Sequence, residues 1–289
     1  MGGYGVSLEI DRIAVIGAGI MGGGIAQTAA QSGFNVLLMD MSEEYAVAGL
    51  LKIKDRLEKR AAEGKIGFGE KEKILSSIEI SARLEDCRKA GLIIEAVTER
   101  EDVKVRIFKE LDRVCPAETI FATNTSTIPI TRLGGATKRP ERFIGMHFMN
   151  PAYSMRLVEV IRGMGTSEET VNIIKTVSGK MGKTAVVVED SPGFVSNRVL
   201  MPMINEAIFC LQEGLSTKEG IDMVMKLGAN HPMGPLELAD FIGLDTCLEI
   251  LEILEAELGE KFRPCPLLRK MVAAGKFGRK SGGGFYGYR

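Results

Sequence analysis

From Arg12 onward, short apolar runs alternate with stretches whose apolar residues recur at helical spacing, the pattern of a parallel sheet with crossover helices. The runs predict strands over 12–16, 35–40, 78–81, 91–96, 119–123, 143–148, 155–161 and 184–189, with helices over 20–32, 43–63, 101–114 and 167–181. Residues 45–75 exceed what one crossover helix needs and carry Gly64, Gly67 and Gly69 midway, so they read as a helical hairpin projecting from the sheet. The pattern changes at Asp190-Ser191-Pro192-Gly193: β-branched strands precede it, and nearly everything after it is helical. Ser191-Pro192 also reads as a helix start, because proline at the first helical position gives up no needed hydrogen bond. The expectation is an α/β domain over residues 1–189 followed by an all-helical domain over 190–289.

Composition narrows the function classes. A chain of 289 residues with 45% hydrophobic content can bury a core in each of two domains. A formal charge of −1 leaves no general basic field to gather nucleic acid or an anionic membrane. The longest apolar runs, 92–97 and 185–188, fall far short of the roughly 20 residues that a bilayer-spanning helix requires. Residues 1–11 have neither the basic nor the apolar region of a secretion signal, so a cytoplasmic protein is expected. Five cysteines without a C-x-x-C pair, and only two histidines, give a metal site little to build on, and none is expected.

The first strand runs directly into Gly17-Ala18-Gly19-Ile20-Met21-Gly22, and helical register follows. In such a motif the first glycine makes the tight turn, the second admits a pyrophosphate against the backbone, and the third lets helix pack on strand. The second strand ends in Asp40, at the spacing where a carboxylate accepts hydrogen bonds from an adenosine ribose. Its charge would repel a 2′-phosphate, so NAD is expected over NADP. The fold expected is therefore a Rossmann-type, mostly parallel sheet with a helical hairpin insertion. Asp40 alone would also serve as a strand-end or capping residue.

His147 and Glu159 stand in two apolar strands joined by a short loop, which would bring them side by side. A histidine on an apolar strand is commonly a satisfied core residue. A carboxylate inside Leu157-Val158-Glu159-Val160-Ile161, however, is costly to bury without a partner. Such a pair suits alcohol dehydrogenation, with the imidazole taking the hydroxyl proton and the carboxylate holding its tautomer. Spacing alone leaves a catalytic and a structural pair equally open.

Together with Gly17–Gly22, the segments Asn124-Thr125-Ser126, His147-Phe148-Met149-Asn150-Pro151, 157–161, 190–198 and 276–282 make the chain resemble the L-3-hydroxyacyl-CoA dehydrogenases, including the bacterial 3-hydroxybutyryl-CoA enzymes, from about Arg12 onward. The resemblance implies that His147 is the acid/base, that Glu159 orients it, that Ser126 hydrogen-bonds the reacting oxygen, and that Asn197 holds substrate. It adds Glu99, Lys104, Asn150 and Lys280 to the cofactor residues. It also places the CoA nucleotide near basic residues of the hairpin, with Lys52, Arg56 and Lys59 recurring on one helix face beside Arg60 and Lys65. An acyl-CoA substrate and a homodimer formed by the helical domain are implied as well. Ser126 as a helix cap, Asn197 on a solvated face, and Lys104 and Lys280 as surface cations are the ordinary alternatives. A hydroxyacid dehydrogenase of the same family acting without CoA, for instance on L-gulonate, and a non-catalytic crystallin-like relative share these motifs. The tail Ser281-Gly282-Gly283-Gly284 lacks the acidic residue often found at its middle glycine, which loosens the expectation for tail packing.

Overall fold

The computed structural model of the chain describes residues 10–288, so most of the N-terminal segment read for a secretion signal lies outside them. The described residues form two compact units that divide between Asp190 and Ser191.

The first unit carries β1 (Arg12–Ile16), α1 (Ile20–Gln31), β2 (Asn35–Met39), α2 (Glu43–Ala62), α3 (Phe68–Ser76), β3 (Ile78–Ser81), β4 (Leu92–Glu95), α4 (Glu101–Val114), β5 (Ile120–Thr123), α5 (Ile130–Gly135), β6 (Phe143–Phe148), β7 (Leu157–Arg162), α6 (Glu168–Lys180) and β8 (Thr184–Glu189). They build one eight-stranded sheet in the order β3-β2-β1-β4-β5-β6-β7-β8. Every neighbouring pair is parallel except β6 and β7. The inner strands are continuous apolar runs because helices cover both faces, and β6 is buried at all six positions. Edge strand β8 instead exposes Val186 and Val187. The chain reverses direction across the sheet between β1 and β4, and the ends of those strands frame a crevice suited to a ligand.

The hairpin of α2 and α3 does not project from the sheet as expected. Ile53 and Leu57 on α2 are fully buried in the same core as β1 and β2, with Ile66 and Ile74 beside them. At about 1.5–3 kcal/mol for each fully buried aliphatic side chain, this packing outweighs any tendency of the charged hairpin to stand free. Gly49 is what lets α2 come so close, since a Cβ there would lie 2.6 Å from the Ala18 Cβ.

The second unit consists of α7 (Ser196–Gln212), α8 (Lys218–Gly228), α9 (Pro235–Ile242), α10 (Leu244–Leu258) and α11 (Pro266–Ala273) around a core that includes Ile204, Leu236, Cys247, Leu251 and Leu268. The helix expected to start at Ser191-Pro192 begins at Ser196 instead. Gly193 and Phe194 take φ values of +72° and +49°, which makes a left-handed turn, and a Cβ on Gly193 would lie 2.8 Å from Leu254 Cδ2. Two buried aspartates fasten the tail. Asp240 accepts from the Phe285 and Tyr286 amides and the Tyr288 hydroxyl, while Asp222 accepts from the Tyr286 hydroxyl at 2.7 Å. The middle glycine of the tail, Gly283, faces open space, so the absent acidic residue costs the tail no packing.

Candidate active site

Glycine shapes the end of β1 for steric reasons. Gly17 has φ +101°, and a Cβ there would lie 2.6 Å from the Ala96 carbonyl oxygen. A Cβ on Gly22 would lie 1.7 Å from the Gly17 carbonyl oxygen, so α1 closes on the turn only with glycine at that position. Gly19 is different, with nothing within 4 Å of its would-be Cβ. That open backbone, next to the first-turn N–H groups of α1, fits a pyrophosphate. Ala18 is buried, Met21 is half-buried and Ile20 is exposed at the head of the helix.

Asp40 follows β2. Its Oδ2 accepts from the Ala18 amide at 2.7 Å and its Oδ1 from the Met41 amide at 2.7 Å. A cleft of about 550 Å³ opens beside it, with Met39, Leu84, Val97 and Ile107 among its walls. Apolar walls around one carboxylate suit a flat base and its ribose, so the residues present fit the adenosine half of a dinucleotide.

A second cluster lies where β5, β6 and β7 meet. The antiparallel register pairs His147 directly with Glu159. His147 Nδ1 lies 2.8 Å from Glu159 Oε2, and both side chains are buried. The other ring nitrogen, Nε2, is 3.1 Å from Ser126 Oγ. Asn124 ties β5 to β6, its Oδ1 accepting from the Phe148 amide at 2.9 Å. A carboxylate at Nδ1 favours the tautomer with the proton there, which leaves the Nε2 lone pair towards Ser126.

The loop carrying Ser126 is held by charge. Glu99 Oε1 accepts from the Ser126 amide at 2.7 Å, from the Thr127 amide and hydroxyl at 3.1 Å each, and from the Thr125 hydroxyl. Lys104 Nζ lies 3.4 Å from Glu99 Oε2 and 2.6 Å from Glu95 Oε1. Glu95 also accepts from the Val97 amide at 2.7 Å and the Thr123 hydroxyl at 2.6 Å. Burial pushes the Glu95 carboxyl up, with Lys104 opposing it. At Glu99 burial pushes the same way, but Lys104 and the loop donors outweigh it and the carboxyl is held low.

These placements revise several expectations. Lys104 is no surface cation: its side chain is 1% exposed and sits between two carboxylates. The even cationic face on α2 is broken too. Lys52 and Lys59 are exposed, whereas Arg56 donates to Gln27 Oε1 at 2.8 Å and lies over the Tyr153 ring. Burial lowers its pKa from the usual guanidinium value. Asn150 is exposed at the end of β6. Asn197, half-buried in the first turn of α7, and Lys280, paired with Asp245 at 2.6 Å, belong to the second unit. Sequence reading missed Glu95, although the argument made for Glu159, a carboxylate closing an apolar run, applies equally to Leu92-Ile93-Ile94-Glu95.

Comparison with known proteins decides the family. Residues 12–191 match the 3-hydroxyacyl-CoA dehydrogenase NAD binding domain, and residues 193–288 match the 3-hydroxyacyl-CoA dehydrogenase C-terminal domain. The chain belongs to the 3-hydroxyacyl-CoA dehydrogenase family. A probable 3-hydroxybutyryl-CoA dehydrogenase of Bacillus subtilis is 57% identical over 97% of this chain and 98% of its own length. The 3-hydroxybutyryl-CoA dehydrogenase of Bradyrhizobium diazoefficiens is 51% identical over 97% of this chain and 96% of its own. Among solved structures, the (S)-3-hydroxybutyryl-CoA dehydrogenase of Ralstonia eutropha superposes with a TM-score of 0.95 at 46% identity, covering 97% of this chain and all of that one. The chain is an NAD-dependent oxidoreductase. No helix among the described residues is long and apolar enough to cross a membrane.

Proposed function

We propose that the chain interconverts (S)-3-hydroxyacyl-CoA and 3-oxoacyl-CoA, with short acyl groups of the 3-hydroxybutyryl kind as substrates. The observation that carries this reading is the hydrogen-bonded chain from Ser126 through His147 to Glu159, in the same unit as the dinucleotide fold. When bound, NAD supplies the hydride acceptor. Gly17, Gly19, Gly22 and the first turn of α1 hold its pyrophosphate, and Asp40 holds the adenosine ribose. Asn150 and Lys280 carry over from the family as further cofactor residues.

In oxidation, His147 Nε2 takes the proton of the substrate hydroxyl while C3 gives up its hydride. Glu159 keeps the other ring proton on Nδ1 and stabilises the imidazolium that forms. Ser126 donates to the substrate oxygen and aligns it with Nε2. In reduction, the same imidazolium returns the proton to the 3-oxo oxygen. Asn197 is assigned to substrate, and Lys52 and Lys59 are the accessible cations on α2 for the CoA phosphates.

The second unit exposes Leu215, Met223, Val224 and Leu227 to 73%, 53%, 67% and 78%. An apolar surface of that kind supports a homodimer formed through the helical unit. The test of the main reading is NADH oxidation with acetoacetyl-CoA, run beside NADPH, free acetoacetate and His147→Ala. Activity that needs both the thioester and NADH, and is lost in the variant, supports it. Equal activity on free acetoacetate would move the assignment to a hydroxyacid dehydrogenase.

A further inference from the structure

Of the charged groups outside the Ser126, His147 and Glu159 cluster, three form a chain behind it: Glu95 and Lys104 are withdrawn from water at 0% and 1% exposure, and Glu99, its side chain 33% exposed, links them to the surface loop. Removing such groups from water costs several kcal/mol per ion, and pairing them commonly only breaks even against well-packed apolar residues. Stability therefore does not explain their presence. Their geometry does, because each group directs the next.

Glu95 ends β4 at the point where the sheet changes direction, between Ile16 on β1 and Thr123 on β5. Both of its oxygens are engaged, Oε2 by the Thr123 hydroxyl and Oε1 by the Val97 amide and Lys104. Lys104 is thereby fixed at one end, with its ammonium turned to Glu99 Oε2. Glu99 Oε1 is left to gather the donors of residues 125–127, and the loop so held presents Ser126 Oγ to His147 Nε2.

We infer that Glu95 is a positioning residue for the dehydrogenase reaction, acting through Lys104 and Glu99 to hold Ser126 in register with His147. Glu95 touches neither substrate nor cofactor. Its negative charge shares Lys104 between two carboxylates. Without that charge the ammonium settles wholly on Glu99, draws that carboxylate off the loop donors, and lets Ser126 drift. A shift of a few tenths of an ångström at a group that aligns the reacting atoms lowers the chemical step, with little effect on cofactor binding.

The inference rests on the reading of Ser126 given above, and a double-mutant cycle separates the two. Glu95→Gln keeps the size of the side chain and an oxygen for Val97 and Lys104, and removes the charge. We expect it to lower kcat with acetoacetyl-CoA by about 10-fold, to leave KM for NADH within about 2-fold, and to cause almost no further loss in a Ser126→Ala background. Thr123→Val, a milder and nearly isosteric change that removes the donor to the other Glu95 oxygen and the hydroxyl accepting from the Thr125 amide at 3.3 Å, should show a smaller loss that likewise vanishes when Ser126 is absent. It serves if Glu95→Gln folds poorly. Losses that multiply with that of Ser126→Ala, or that fall on KM for NADH instead of kcat, would overturn the inference and leave the site reading intact. A Ser126→Ala enzyme with unchanged kcat would overturn the site reading, and this inference with it.

Discussion

Replacing Glu159 by glutamine tests the proposed chemistry at its most sensitive contact. The residue lies 2.8 Å from His147 Nδ1, both side chains are buried, and the antiparallel ladder fixes them opposite one another. Glutamine retains the shape and can turn its amide oxygen to the ring N–H, so the ground-state hydrogen bond survives. What disappears is the negative charge facing the imidazolium that forms as the substrate proton is taken. With charge centres about 4 Å apart and an effective dielectric of about 20, that attraction amounts to ~4 kcal/mol. Part of it returns as the amide dipole reorients, leaving a barrier increase of about 3–4 kcal/mol and a kcat lower by about 10²–10³-fold. The assay is steady-state NADH oxidation with acetoacetyl-CoA, with NADH binding followed separately by its fluorescence. Binding should be unchanged, because the glycine turn and Asp40 are untouched. A kcat within 10-fold of the parent, in a variant that folds and binds NADH normally, would show that the carboxylate does not stabilise the imidazolium and would refute the reasoning.

Gly22→Ala should abolish measurable NADH binding, since its Cβ would lie 1.7 Å from the Gly17 carbonyl oxygen and one backbone or the other must move; calorimetric titration reads this directly. In the tail, Gly283→Glu should leave thermal stability within about 0.5 kcal/mol of the parent. Gly284→Ala, whose Cβ would lie 1.9 Å from Asp240 Oδ1, should detach the tail and lower the melting temperature of the second unit in a calorimetric scan. With an aromatic disulfide reagent at pH 8, half-buried Cys210 should react first. Burial pushes Cys87 and Cys247 to about 12 and Cys115 to about 11, so those thiols should react only on unfolding, and fast labelling of more than one would contradict this.

The elements most legible in the sequence were those whose burial left one reading. The runs 12–16 and 143–148 are strands at the expected boundaries, because strands covered on both faces are apolar throughout; 184–189, an edge strand exposed at most positions, was legible from its β-branched residues instead. Periodicity failed where a tertiary contact decided the outcome. The strand expected from 155 begins at Leu157, since the Met155 carbonyl accepts from Lys183 Nζ at 2.7 Å and keeps that residue in the turn. Likewise the hairpin reads as a projecting element from its length and its three central glycines, yet four apolar residues spread across it join the core. At the candidate site, Gly17–Gly22, Asp40, His147 and Glu159 could each be singled out by a physical argument from sequence. The burial of Lys104 could not, because nothing in its amphipathic helix shows that two carboxylates from preceding segments meet it.

The antiparallel pairing of β6 and β7 has a consequence for how such an enzyme can be remodelled. Glu159 receives its address from a strand flanked on both sides, by β6 and β8, and a slip of one residue would turn it to the opposite face of the sheet. The turn between β6 and β7 therefore does not set the distance between acid and base; it only closes the path between two strands already locked in place. The sheet therefore anchors the proton-transfer pair, and a change within residues 149–156 falls on what that turn itself supplies, the proposed cofactor residue Asn150 and the core residue Ala152, before it reaches His147 or Glu159.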